Sequence, residues 1–143
     1  MLKATPLAIL AGLLFTAMTA LPAPASAGQS LWSHNGSTML WYSNGQRRQV
    51  SYYAPRAGLS VNPGTVLFEG QKVGSEIYGT AYVFKRGCQP APYTVRGLVD
   101  PSNQTHVVLY GSAPIRQRGG CRVVGYNPQS SNSRLEFNYL RRY

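Results

Sequence analysis

Four carboxylates, two histidines and two cysteines are all that this chain has for acid–base, nucleophilic or metal chemistry. Glu69 and Glu76 flank one short turn, so across a hairpin they could face each other, and paired carboxylates are the equipment of glycoside hydrolysis. Like charges directly opposite repel, and Lys72 in the same turn is the expected compensation. His34 and His106 each stand alone. His34 lies in His34-Asn35-Gly36-Ser37, a turn by composition, and His106 falls on the Val108/Tyr110 side of a predicted strand. No nucleophile-elbow pattern singles out a serine, and no His, Cys and acid spacing resembles a metal set. The sequence therefore names no catalytic residue, no metal ligand and no cofactor. It predicts a non-enzymatic protein, with a hydrolase built on Glu69 and Glu76 as the lower-ranked alternative.

The chemistry that the composition does favour is anion binding. Lys and Arg number 14 against 4 Asp and Glu, for a formal charge of +10. All but three of those cations are Arg, whose planar fork pairs bidentately with carboxylate or phosphate and stacks on aromatic rings. Ten Tyr and two Trp are interleaved with them. Three clusters emerge: Arg47-Arg48 beside Asn44-Gly45, Arg116 and Arg118 with Arg122 around Cys121, and Arg141-Arg142. Adjacent strand residues point to opposite faces, so Arg47 and Arg48 cannot share a surface without distortion. The loop pair Arg116 and Arg118, beside Gly119-Gly120, is the stronger candidate, and reversing both to Glu is expected to lower the affinity for an acidic matrix.

The segment that precedes these residues sets where they act. Lys3, the uncharged apolar run Leu7 to Leu21, the breakers Pro22 and Pro24, and Ala25-Ser26-Ala27 together read as a cleavable export signal. Its apolar run of about 15 residues is short of the roughly 20 needed to span a bilayer. The expected organisation is a signal peptide over 1–27 and a single domain over 28–143. Loss of Lys3, the one charged residue of the segment, takes the formal charge from +10 to +9. The first Cys is Cys88, so no lipid anchor is expected at the processed end. In an oxidising compartment Cys88 and Cys121 are expected to form one disulfide. Closing a loop of about 34 residues constrains the unfolded chain by ~3–4 kcal/mol in the chain-entropy picture.

What must position the arginines is β structure almost throughout. Strands are expected over Ser37–Ser43, Gln46–Ala54, Thr65–Glu69, Glu76–Lys85, Tyr93–Val99, Thr105–Tyr110, Cys121–Tyr126 and Leu135–Leu140. Asn44-Gly45 is a strong two-residue hairpin signal, Gly70 to Gly74 reads as a turn, and Pro101 fits the second position of a turn at Asp100–Asn103. Gly79, Gly97 and Gly125 interrupt strand patterns, which suits tight coiling of a sheet. The fold class is all-β: a small up-and-down β-barrel or strongly curved antiparallel meander of about eight strands, with one disulfide. Asn35 and Asn103 head glycosylation sequons on predicted turns.

These readings converge on an exported protein, periplasmic or secreted, with an Arg- and Tyr-rich surface. Its expected partner is an anionic polysaccharide, a lipid headgroup or an acidic protein; export disfavours nucleic acid. The alternative is a protein-partner module, such as an enzyme inhibitor or envelope-assembly factor, with exposed Tyr and Trp as its hot spot.

Overall fold

A computed structural model describes residues 27–143. The expected export segment therefore lies outside the described residues, apart from Ala27. Ten strands follow in order: β1 (Gly28–His34), β2 (Ser37–Asn44), β3 (Arg47–Ala54), β4 (Val66–Val73), β5 (Glu76–Val83), β6 (Ala91–Leu98), β7 (His106–Tyr110), β8 (Ala113–Arg116), β9 (Val123–Asn127) and β10 (Arg134–Arg142). Eight of them close an antiparallel barrel in the order β1-β10-β7-β6-β5-β4-β3-β2, and β8 and β9 form a separate two-stranded ribbon. The chain thus runs up and down seven times, leaves the barrel for the ribbon, and returns as β10 to seal the gap between β7 and β1.

Inward residues at every second position fill the barrel. Val50, Phe68, Ile77, Val95, Leu109 and Phe137 are essentially without solvent contact. Burying each such side chain contributes about 1.5–3 kcal/mol. An aromatic column runs through them: Trp32 and Trp41 have centroids 4.9 Å apart, Trp41 meets Phe137 edge-on at 5.4 Å, and His34 stacks on Phe137 at 4.9 Å. Outward positions at mid-height include Gln49, Glu69, Thr94 and Glu136. Such a face is costly against hydrocarbon.

Several expectations about the elements need correction. Gly28–His34 is a barrel strand; Arg116, expected in a loop, ends β8 (Ala113–Arg116); and of the predicted Cys121–Tyr126 strand the ordered part is Val123–Asn127, which belongs to the ribbon, not the barrel. Asn35-Gly36 is a two-residue hairpin turn with φ of 45° and 79°, whereas the expected Asn44-Gly45 turn is shifted by one residue to Gly45-Gln46, Asn44 ending β2 opposite Arg47. His34 is accordingly no turn residue; it ends β1 facing inward, buried. Gly70 is likewise inside a strand: β4 continues to Val73, and Gly70 lies directly opposite Gly79. A Cβ on either would overlap the backbone of the other strand. At the β6–β7 seam a Cβ on Gly97 would strike Val108 O, and one on Gly111 would strike Thr94 O. Gly125 sits in the ribbon, where a Cβ would meet only Ile115 Cδ1 at 3.9 Å, so it has no share in barrel coiling.

Candidate functional site

The up-and-down topology gives the barrel two ends with different chemistry. The upper end is made by the connections 35–36, 55–65, 84–90 and 111–133, the last including the ribbon. These segments hold Arg56, Lys85, Arg86, Arg116, Arg118 and Arg122, and not one Asp or Glu. Uncompensated positive charge at this density attracts anions and repels itself.

A covalent bond holds part of this charge together. Cys88, in the β5–β6 connection, is bonded to Cys121, in the β8–β9 turn, with their Cα atoms 5.4 Å apart. Lys85-Arg86 are thereby joined to the loop of Arg118 and Arg122. Lys85 Nζ donates to Gly120 O at 2.8 Å across the same junction. The bridge ties the ribbon to the β5–β6 connection.

Arg116 has a different role from the one its position in the sequence suggested. Its Nη1 donates to Cys121 O at 2.7 Å, and its Nη2 to Gln89 O at 2.7 Å and to Val83 O at 3.2 Å. Its Nε is buried without a partner. The guanidinium is an internal strut between the ribbon and the end of β5, and its fork is not free for a ligand. Arg118 and Arg122 are exposed on the turn that Arg116 braces. The sequence grouped Arg118 with Arg116; the structure groups Arg118 and Arg122 with Lys85 and Arg86, which sequence reasoning did not select. The predicted disulfide was the available signal, since it forces the loops before Cys88 and around Cys121 together.

Beside these loops the upper end carries a cavity of about 100 Å³, bordered by His34, Tyr52, Arg56, Phe84 and Tyr93. His34 Nδ1 donates to Glu136 O at 2.9 Å, which leaves Nε2 as the acceptor for Asn35 at 3.4 Å. Burial is the main cause that pushes the His34 imidazole below its ordinary value, helped by Arg56 and opposed by the bond to Glu136 O. Burial likewise raises Tyr52 and drives the Tyr93 phenol up to about 12, while its hydroxyl donates to Asn132 O. This cavity offers neutral donors and acceptors next to the Arg56 cation.

The lower end holds Arg47 and Arg48 on opposite faces. Arg47 points outward, whereas Arg48 follows Val50 and Tyr52 on the inward side and borders a second cavity with Lys72 over Trp32 and Trp41. Arg141 and Arg142 end β10 at the same end.

The carboxylates do not assemble a catalytic pair. Glu69 lies opposite Thr80 and Glu76 opposite Val73, four strand positions apart, or about 13 Å along the sheet. Glu69 accepts from Tyr82 Oη at 2.7 Å and Glu76 pairs with Arg96 at 3.0 Å. Lys72 Nζ bonds Gly74 O instead of bridging them. The predicted facing of Glu69 and Glu76 is thus overturned, because the hairpin turn is the tight Gly74-Ser75 and Gly70 is inside the strand. His106 does not stand alone: its Nε2 lies 2.8 Å from Glu136, which also pairs with Arg134. Both partners hold the Glu136 carboxyl below its usual range, Arg134 more strongly. Among the described residues no three His, Cys, Asp or Glu side chains gather as metal ligands would. Comparison with protein-family models, curated proteins and solved structures finds no match, so function has to be read from the chain's own geometry.

Proposed function

We propose that this is an exported, non-enzymatic binding protein whose upper end docks on an extended anionic ligand of the cell envelope or its surroundings, such as an acidic polysaccharide. The observation that supports this most is the disulfide-tied knuckle of Lys85, Arg86, Arg118 and Arg122 in a region without a carboxylate. Gathering like charges costs stability, and neither the barrel core nor its closure uses these four side chains. The Arg116 strut supports the reading, because it fixes the ribbon that presents Arg118 and Arg122. Heparin chromatography and titration with a uronate-rich polysaccharide test it. Retention should fall by about tenfold or more as salt rises from about 50 to 300 mM, and should vanish in the double variant Arg118→Glu/Arg122→Glu. Absent binding, or binding that ignores salt, sinks it.

A second reading rests on the ribbon itself. Ile115, Val124 and Tyr126 are exposed by 44%, 55% and 61% next to the cations. A protein partner seated there would be gripped by apolar contacts, as an inhibitor or assembly factor grips its target. Capture that survives high salt and is lost in Tyr126→Ala would select this reading over the first.

A further inference from the structure

The lower mouth departs from the pattern of the interior. Inward positions of a small barrel are normally apolar and close-packed. At the lower ends of four neighbouring strands they are instead Ser30, Ser43, Arg48 and Lys72. Facing this polar arc are the apolar side chains of Ile77, Val99 and Val107, and the Trp32–Trp41 pair lies at the base. The space at this mouth is about 180 Å³ and partly open to solvent. A dry cavity of about 150 Å³ admits benzene, so the space suits a single ring or its aliphatic equivalent.

The two cations here have no ion-pair partner among the described residues. Arg48 uses only Nη1 on protein, donating to Gly45 O at 2.7 Å and Arg47 O at 2.8 Å. Lys72 Nζ makes one bond, to Gly74 O at 2.7 Å. The carboxylates of this end are engaged elsewhere: Glu76 with Arg96 on the outer face, and Asp100 with Ser102 N and Oγ in its own turn. Partial burial of an unpaired guanidinium is unfavourable unless an anion offsets it.

We propose that this mouth is a binding site for a compact amphipathic anion, one carboxylate on an apolar body of about ten heavy atoms. The carboxylate sits between Arg48 and Lys72, and the apolar body rests on the indoles against Ile77 and Val107. This site is independent of the polyanion face at the other end.

Trp32 and Trp41 are the only tryptophans in the chain, so intrinsic fluorescence reports the site directly. Benzoate, phenylacetate and cyclohexanecarboxylate are titrated against benzyl alcohol, acetate and inorganic phosphate. The carboxylates with a ring should give saturable changes with Kd between about 10 μM and 1 mM, with the other three at least about tenfold weaker. Arg48→Gln and Lys72→Gln should each weaken the ring carboxylates about tenfold, while Arg118→Glu/Arg122→Glu leaves them unchanged. Because Arg48 also holds its turn, Lys72→Gln and Ser43→Phe, which fills the mouth and keeps both cations, decide the matter if Arg48→Gln fails to fold. A merely linear fluorescence change, equal affinity for benzyl alcohol or phosphate, or full binding by Lys72→Gln would overturn the proposal.

Discussion

Arg116 and Arg118 are two residues apart in sequence and opposite in use. Arg116 satisfies Cys121 O in its own ribbon and Val83 O and Gln89 O across the junction, and charge-assisted bonds of this kind are worth more than neutral ones. Arg116→Ala is therefore expected to cost about 2–3 kcal/mol in urea unfolding, whereas Arg118→Ala should stay within about 0.5 kcal/mol. Equal effects would remove the distinction between strut and ligand. Residue type shows that Arg is present but not where each fork points; that depends on contacts between segments more than 25 residues apart. His34 has the same lesson in reverse. The Asn-Gly that follows it suggests a turn residue, yet it ends a strand and is buried on Phe137. Its folded-state value lies below the ordinary 6.5, so below pH 6.5 the unfolded chain binds a proton that the folded chain refuses. Stability from this group is whole above that pH and falls as pH drops toward the depressed value. Thermal melts across that window should slope for the native chain and flatten in His34→Gln. Glu136, held low by Arg134 and His106, acts in a separate window below about 4.5, where its contribution is lost as it protonates.

At the scale of elements, strand existence was readable wherever alternation was clear, and seven of the eight barrel strands were located that way. The eighth is hidden because Gly28–His34 has polar residues on both alternating faces, so that Asn35-Gly36 resembles an isolated turn with no strand before it. Glycine was the other source of error, since one residue type marks turns, bends and close approaches alike. Gly70 looked like a turn and is a crossing point opposite Gly79. Gly125 looked like a crossing point and has open space. The physical difference is whether a backbone stands where Cβ would be, and no sequence pattern reports that. Gly97→Ala is thus expected to destabilise by about 1–3 kcal/mol or more, through the clash with Val108 O at the seam where β6 meets β7. Gly125→Ala should be within about 0.5 kcal/mol of the native chain. Paired denaturation curves check both, and a harmless Gly97→Ala would mean that the seam can open.

Over the whole molecule, charge and covalent structure work against each other at the upper end. A chain with so few carboxylates cannot neutralise its arginines, and it places none of the four it has in the upper connections. Lys85, Arg86, Arg118 and Arg122 lie on two distant connections, which the Cys88–Cys121 bond holds together along with the Arg116 strut and the Lys85–Gly120 hydrogen bond. The staple was legible from composition and the expected export, but its second role was not: it concentrates charge contributed by two distant segments. Two consequences separate this view from a purely structural disulfide. Arg118→Glu/Arg122→Glu should raise the melting temperature by about 1–3 °C by relieving repulsion, while it abolishes polyanion binding. Cys88→Ser/Cys121→Ser should cost ~3–4 kcal/mol and also weaken polyanion binding at temperatures where circular dichroism shows the barrel folded. No cation is lost in that variant, so a weaker complex reports dispersal of the knuckle alone. A folded double-Ser variant that binds heparin as tightly as the native chain would leave the disulfide a stabiliser of the fold and nothing more.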